Sequence, residues 1–318
     1  MRKSKTALEL LNINVDLVNA AHEKDDNFQF GDTTFRQDGF SIGHDYLRLE
    51  GTTVTRGKLV PSSLKVDKLI GKGAFSKVHH GLWQKDNEEV VEVAVKQCCI
   101  LESSSQRRDM LLKELRALCM IRCECLVQFQ GAFLQQDTVT MVLEYMDRGS
   151  LEQLLHLQQN GLSSEGFVAS VTFQMLWGLA YLHHEKILHR DIKPGNVLLH
   201  SSGCVKLCDF GMASMSDQSL HTTIVGTSRY MAPERLRARP YGRPSDVWSL
   251  GLVVLECLTG QRPWMNNNSI VELVVNVEEA TLEDLISFEF CDDLKELLAG
   301  CLHQEPGKYL QILEIFMV

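Results

Sequence analysis

The chain has 318 residues, of which 44% are hydrophobic and 23% are charged, and its formal net charge at pH 7 is -9. This length allows one large domain with two lobes or two modest domains, and the composition is that of an ordinary globular protein. The acidic balance argues against a nucleic-acid-binding protein, but not against a nucleotide ligand, because one lysine beside a phosphate outweighs distant, screened charge.

The sequence carries no signal for export or for a membrane span. Arg2 and Lys3 are not followed by an apolar run, and the longest apolar stretch, near Leu250 to Leu258, is short and contains Glu256. Ten cysteines with irregular spacing favour reduced thiols, and Cys123-x-Cys125 has no second pair at the spacing of zinc ligands. We therefore expect a soluble protein of the cytoplasm, with the nucleus as a second compartment.

Two segments precede the first clear strands. Residues 1–30 mix charged and apolar groups without a sustained period, which predicts a flexible tail. Residues 31–63 hold scattered apolar side chains among glycines and aspartates, and we expect a short leading strand and a loop packed on the domain that follows.

From Leu64 the pattern changes to short strands. Residues 70–78, Ile-Gly-Lys-Gly-Ala-Phe-Ser-Lys-Val, predict a glycine-rich hairpin. Residues 91–96 alternate as a half-buried strand does and end in Lys96, and residues 139–143 predict a buried strand.

Three helices are predicted where apolar residues recur every three or four positions. The first covers roughly residues 104–120, the second ends just before His189, and the third begins near Ser245. The apolar positions are, in order, Leu111, Leu115 and Leu118; Val171, Met175, Leu179 and Leu182; and Val247, Leu250, Val254 and Leu258.

The chemistry of the chain is concentrated in residues 189–211. This stretch contains His-Arg-Asp at its start, then Lys193 and Asn196, and Asp-Phe-Gly at its end. Phosphoryl transfer from a nucleotide needs oxygen ligands for magnesium, a cation beside the moving group, and a carboxylate facing the acceptor hydroxyl. Asn196 and Asp209 offer the ligands, Lys193 the cation and Asp191 the base.

In order and spacing, these residues resemble the catalytic and metal-binding loops of eukaryotic protein kinases. The resemblance covers roughly residues 60–310 and implies an α+β fold with two lobes. It places a small β-rich N-lobe with one key helix over residues 64–146 and a larger helical C-lobe over residues 147–318. It also implies ATP and Mg²⁺ as cofactors, with Asn196 and Asp209 as the metal ligands.

The same resemblance assigns residues to the nucleotide. Gly71 and Gly73 let backbone N–H groups approach the phosphates, and Ser76 stands where the third glycine of the usual pattern would be. Lys96 positions the α- and β-phosphates, and Glu114 holds Lys96. The complete set implied for the nucleotide is Gly71, Gly73, Val78, Ala94, Lys96, Leu143, Glu144, Met146, Lys193, Asn196 and Asp209.

Further roles follow for the hinge and for the surroundings of the catalytic loop. Leu143 is the gatekeeper, and the backbone of Glu144 and Met146 hydrogen-bonds adenine. Asp246 anchors the catalytic-loop backbone. Cys208 occupies a position where some kinases carry a thiol within reach of electrophiles, and a buried, inert thiol is the alternative.

The segment after residue 211 resembles that of the MAP kinase kinases. Ser219 and Thr223 stand four apart, as in the activation site of animal-type members, whereas the plant spacing would need a hydroxyl at Asp217. This register implies regulatory phosphorylation of Ser219 and Thr223, with Arg190 as the partner of the added phosphate. Residues 226–235 also resemble the MAP kinase kinase form of this segment.

The N-terminal tail carries a basic cluster followed by alternating leucines. This order resembles the docking segment by which MAP kinase kinases hold their MAP kinase substrates, in which cations meet an acidic patch and leucines fill small pockets. The residues concerned are Arg2, Lys3, Lys5, Leu8 and Leu10. A charged, frayed terminus is the alternative.

Two features depart from the family pattern. No proline-rich insertion follows Pro263-Trp264, which resembles plant or protist members rather than animal ones. Tyr309 stands where kinases usually have an arginine that pairs with Glu234, although Lys308 offers a substitute cation. Residues 312–318 form an apolar stretch without a clear helix, which predicts an atypical or truncated C-lobe end.

The resemblance therefore implies a dual-specificity MAP kinase kinase. Its substrate would be the Thr and Tyr of a MAP kinase activation loop, and its activator an upstream MAP kinase kinase kinase. Two alternatives stay open: a serine/threonine kinase that acts upstream in the cascade, and a kinase-fold scaffold without activity.

Overall fold

Antiparallel strands make up most of the described residues before Asp147 in the computed structural model. The first sheet is a meander of five short strands in sequence order: β1 Gln29–Gly31, β2 Thr34–Gln37, β3 Phe40–Gly43, β4 Leu47–Leu49 and β5 Thr52–Thr53. The sequence predicted one leading strand and a loop here. The strands were missed because each is only two to four residues long, which is too short to show a period.

The structure describes most of the chain, in stretches separated by gaps. The described residues are 29–31, 34–37, 40–43, 47–49, 52–53, 59–73, 76–86, 88–99, 105–135, 137–158, 161–162, 164–210, 228–267, 269–280 and 290–303. They belong to two units: the first holds the chain up to Arg122 and Val127–Met146, and the second holds Cys123–Leu126 and the chain from Asp147.

The second sheet also has five antiparallel strands and is the main layer of the first unit. Its spatial order is β6-β7-β8-β10-β9, with β6 Leu64–Lys72, β7 Ser76–Gln84, β8 Val90–Cys99, β9 Phe129–Gln135 and β10 Thr138–Glu144. One helix, α1 Ser105–Met120, follows β8. The predicted hairpin, strands and helix in this region are present at close to the expected bounds.

The core of this unit lies on one face of the second sheet. Side chains alternate between the two faces of a strand, so Val93 and Val95 of β8 point to the same side. Both are buried in one cluster, which contains Leu59, Trp83, Val93, Val95, Phe133 and Val142. The intervening residues of β8 therefore lie on the other face.

The second unit is mainly helical. Its helices are α2 Leu151–Leu157, α3 Glu165–His184, α4 Pro233–Leu236, α5 Arg243–Thr259, α6 Ile270–Glu279 and α7 Asp292–Cys301, and its hairpin is β11 Val197–Leu199 with β12 Val205–Leu207. No described helix is long and apolar enough to cross a membrane.

Local sequence explains where these helices begin and end. Ser150 and Gln153 form a reciprocal capping box at the start of α2, and Ser164 accepts a hydrogen bond from Phe167 N at the start of α3. Helix α5 ends at Thr259 and is capped by Gly260, whose left-handed φ of 68° suits glycine. The apolar stripe predicted for α3 is buried, and so are Val247, Leu250 and Val254 of α5. The predicted α+β class is therefore confirmed, with a sheet-rich unit that carries one long helix and a helical unit.

Candidate active site

Strand pairing brings four predicted nucleotide-binding residues onto one face of the first unit's main sheet. Val78 of β7 lies opposite Lys96 of β8, and Ala94 of β8 lies opposite Leu143 of β10. Directly opposed residues in an antiparallel pair share a face, and so do residues two apart on one strand. Val78, Ala94, Lys96 and Leu143 therefore line the face opposite the buried Val93 and Val95.

The predicted ion pair of this unit is formed. Lys96 Nζ lies 2.7 Å from Glu114 Oε1, and the two side chains are only 8% and 12% exposed. A shielded pair of this kind is costly to break, because removing one partner leaves a buried charge and typically costs about 3–5 kcal/mol. Helix α1 thus fixes where the Lys96 amine lies.

At the end of β10, one of the backbone groups that a nucleotide could contact already has a partner within the protein. Glu144 N donates to Gln128 O at 2.9 Å, and the Glu144 carboxylate accepts from Gln128 N at 3.2 Å. The N–H of Glu144 is therefore already used. Met146, two residues on, is buried.

In the second unit, the catalytic-loop side chains contact one another directly. Asp191 Oδ2 accepts from Lys193 Nζ and from Asn196 Nδ2, both at 2.8 Å. Asn196 Nδ2 also donates to the Asp191 carbonyl at 2.8 Å, which turns the amide oxygen away from Asp191. The carboxylate is thus held in one orientation beside a cation, as a general base requires.

The hairpin β11–β12 brings the two predicted metal ligands to the same end of a ladder. Val197 lies opposite Leu207, and Cys208 N donates to Asn196 O at 3.0 Å, which extends the pairing by one step. Asp209 follows immediately, with a left-handed φ of 59° that is unusual for a residue with a side chain. Cys208 is half-buried.

Asp246 of α5 anchors the catalytic loop, as the sequence implied. Its carboxylate accepts from His189 N at 2.9 Å, from Arg190 N at 2.8 Å and from His183 Nε2 at 2.8 Å. Burial acts to raise the pKa of Asp246, but the hydrogen bond from His183 and the other donors outweigh it, so the pKa lies below its usual range. Asp246 is therefore an ionised anchor.

His189 is a buried, neutral imidazole. Burial lowers its pKa, against the opposing charges of Asp246, Asp191 and Asp209. Its Nδ1 accepts from Asp191 N at 3.3 Å, and its ring meets Phe210 edge-on at 6.3 Å between centroids. The imidazole thus couples the base Asp191 to the segment that carries Asp209.

Sequence reasoning missed the aromatic support of Arg190. The guanidinium carbons of Arg190 and Arg235 lie 5.4 Å and 5.2 Å from the centroid of the Tyr241 ring. Arg235 Nη1 also donates to Arg190 O at 2.6 Å, and Arg190 has a left-handed φ of 66°. The sequence offers no local signal for this cluster, because Arg190 lies far from Arg235 and Tyr241 along the chain.

Several predicted functional residues lie outside the described part of the chain. They are the docking residues Arg2, Lys3, Lys5, Leu8 and Leu10; the phosphorylation sites Ser219 and Thr223; and Gly211, Lys308 and Tyr309. Their roles stay predictions.

Comparison with known proteins agrees with this geometry. A family model described as "Protein kinase domain" matches residues 64–317. The chain is 33% identical over 299 residues to mitogen-activated protein kinase kinase 1c of Physcomitrium patens, covering 86% of this chain and 85% of that protein. It is 34% identical over 294 residues to mitogen-activated protein kinase kinase 2 of Arabidopsis thaliana, covering 88% and 78%. Similarity to mitogen-activated protein kinase kinase kinase 2 of Arabidopsis thaliana is 32% over 257 residues, covering 78% and 39%.

Proposed function

The chain belongs to the protein kinase family and, within it, to the MAP kinase kinases, and we propose that it phosphorylates both Thr and Tyr in a MAP kinase activation loop. It is an ATP-dependent protein kinase of the expected two-lobed α+β class. The observation that carries the phosphotransfer is the Asp191 carboxylate, which is held 2.8 Å from both Lys193 Nζ and Asn196 Nδ2. The similarity to MAP kinase kinases is what supports the proposed substrate and its two acceptor residues.

Each of these residues has a defined part in the reaction. Asp191 orients the acceptor hydroxyl and takes its proton, because both of its hydrogen-bonding neighbours fix the carboxylate in place. Lys193 offsets the negative charge of the transferring group. Lys96, held by Glu114, binds the nucleotide phosphates, and Val78, Ala94 and Leu143 give the adenine an apolar surface. The Glu144 carbonyl and the Met146 backbone are the proposed polar contacts to adenine.

The donor set fits magnesium. Asn196 uses its amide nitrogen on Asp191, which leaves the amide oxygen for a cation, and Asp209 adds a carboxylate at the same end of the β11–β12 hairpin. Hard oxygen donors of this kind, completed by phosphate oxygens and water, suit Mg²⁺. When bound, the ion neutralises phosphate charge.

We propose activation by an upstream MAP kinase kinase kinase through Ser219 and Thr223. An added phosphate needs a positioned cation, and Arg190 is held in place by the Tyr241 ring and by the bond from Arg235. The similarity to proteins named mitogen-activated protein kinase kinases supports an upstream kinase of this kind as the activator.

We propose further that the tail docks the MAP kinase substrate through Arg2, Lys3, Lys5, Leu8 and Leu10, and that the protein works in the cytoplasm and nucleus. Replacing the three basic residues by alanine is expected to raise KM for a whole MAP kinase but not for a short peptide.

The test is phosphate transfer from Mg-ATP to a kinase-dead MAP kinase, with the product sites mapped. The enzyme carries Ser219→Asp and Thr223→Asp to imitate the activated state. We expect paired Thr and Tyr phosphorylation, and a loss on the order of 10²–10⁴-fold in Asp191→Asn, because the base is removed. Asp293→Asn, an exposed position on α7, is the matched control and should be fully active.

Other outcomes would change the assignment. Phosphorylation of Ser and Thr alone would support the upstream serine/threonine kinase. Activity that survives Asp191→Asn would contradict the role given to that carboxylate.

A further inference from the structure

A charged network in the second unit connects α2, the catalytic loop and the end of α5. Glu152 and His156 stand four apart on α2, so they share one face of that helix. Glu256 lies near the end of α5, and Arg262 follows two residues after Gly260. None of these residues was singled out by the sequence for the reaction.

Arg262 lies between the two carboxylates. Its Nη2 is 3.4 Å from Glu152 Oε1 and 2.6 Å from His156 Nε2, and its Nε is 3.8 Å from Glu256 Oε1. Because Nη2 donates to His156 Nε2, the imidazole accepts and carries no positive charge in this arrangement. Arg262 is therefore the cation that these contacts supply to both carboxylates.

The second carboxylate is deeply buried. The side chain of Glu256 is only 4% exposed, whereas that of Glu152 is 49% exposed. Tyr230 donates its hydroxyl to Glu256 Oε2 at 2.5 Å. Burial raises the pKa of Glu256, while Tyr230 and Arg262 act to lower it. An ionised Glu256 at this buried position is stabilised by a neighbouring cation, because burial disfavours the charged form of the carboxyl group.

The network lies beside the catalytic loop. Glu152 Oε2 is 3.1 Å from the point that a Cβ would occupy on Gly195, two residues after Lys193. An extended substrate advances about 3.3 Å per residue, so residues within three of the acceptor stay within about 10 Å of Asp191. The same Cβ point lies 4.0 Å from Lys193 Cε, and Lys193 Nζ contacts Asp191, so a side chain that flanks the acceptor is within reach of Glu152.

We infer that Arg262 fills the position between Glu152 and Glu256. In its absence, a basic side chain of the substrate would bind at this position. The kinase consequently does not select arginine or lysine beside the acceptor residue. This inference rests on the proposed phosphotransfer at Asp191, and it names the class of peptide that this site would accept if Arg262 were removed.

The test is peptide binding to the full-length protein, measured by fluorescence anisotropy with a non-hydrolysable ATP analogue present. The probes are labelled peptides with one acceptor threonine and either arginine or alanine at each of the three positions on either side. The dissociation constants of wild type for the arginine and alanine members of each pair should agree within about twofold. Arg262→Ala should favour arginine by about tenfold at one or more positions, because a charge-assisted hydrogen bond is restored.

Matched variants assign the effect to the carboxylates. Arg262→Lys keeps a cation and should behave as wild type does. Arg262→Ala with Glu152→Gln should fall back to about twofold. If Arg262→Ala unfolds, the double variant Arg262→Ala with Glu256→Gln is used instead, because it also removes the buried charge. Glu152 alone should then favour the arginine peptide over the alanine peptide by about threefold.

The inference is overturned if a folded Arg262→Ala protein, or its Glu256→Gln partner variant, shows no arginine preference at any position. It is equally overturned if wild type already favours arginine tenfold. Because binding is measured without phosphate transfer, failure of the MAP kinase assay does not change either result.

Discussion

Glu234 is a buried carboxylate with a described hydrogen-bond partner on only one of its two oxygens. Its side chain accepts from Ser245 Oγ at 2.6 Å through Oε1, and Oε2 has no partner among the described residues. The family pattern would place an arginine at position 309, where this chain has Tyr309. Tyr309 and Lys308 lie outside the described residues, so a cation on Glu234 stays a prediction to be tested.

We predict that Glu234→Gln changes the free energy of unfolding by less than about 1 kcal/mol, because glutamine keeps the acceptor for Ser245 and removes a buried charge. Urea denaturation measures the change, with the exposed Glu124→Gln as control. A loss of about 3–5 kcal/mol would instead reveal a cation on Glu234. Lys308→Gln in the same assay would then identify it.

At the scale of elements, the N-terminal meander is a structural part of the first unit. Strands β3 and β4 pack against β9, which is one of the two edge strands of the main sheet. Covering an edge strand protects its unpaired backbone groups from other chains. Ile42 and Leu47 of the meander are 1% and 0% exposed, although both precede the match to the kinase family at residue 64.

Leu47→Ala should therefore destabilise the protein by about 2–5 kcal/mol, which is the usual cost of emptying a buried leucine site. Leu69→Ala on β6 is the control, since its side chain is 52% exposed, and a change within about 0.5 kcal/mol is expected there. Thermal or urea unfolding compares the two. A change in unfolding free energy at Leu47 as small as that at Leu69 would mean that the packing of the meander does not stabilise the protein.

The whole molecule is acidic, with a net charge of -9, but its stability on the acid side depends on particular buried groups. His189 is kept neutral in the folded chain because burial lowers its pKa below the ordinary value of 6.5. The unfolded chain binds a proton there near pH 6.5, and the folded chain does not. Stability contributed by His189 is therefore present above pH 6.5 and is lost as the pH falls below it.

His189→Gln should remove this contribution. Between pH 6.5 and pH 5.5, the unfolding free energy of wild type should fall more steeply than that of the variant, by up to about 1.4 kcal/mol per pH unit. Urea denaturation at several pH values measures both slopes. His184→Gln, at an exposed position on α3, is the control for losing an imidazole and should keep the wild-type slope. Parallel slopes for wild type and His189→Gln would contradict the prediction.

The sequence by itself determined those features of the protein that depend on residues close to one another along the chain. The contacts among Asp191, Lys193 and Asn196 span six residues, and the stripes of α3 and α5 repeat within single helices. Local spacing sets such geometry directly, so the catalytic loop and these helices could be predicted, whereas the α+β class with two lobes was expected through the family resemblance. The pairing of Lys96 with Glu114 was expected only through the family resemblance.

Only the tertiary structure decided the contacts between distant segments. Arg262 meets Glu152 across 110 positions, Arg235 reaches Arg190 across 45, and β3 and β4 pack on β9, which begins 80 residues after β4 ends. Each of these partners is ordinary in its local sequence. Whether a glutamate or tyrosine is solvated or paired depends on which helix or loop packs against it, and packing is a property of the folded chain rather than of its periodicity.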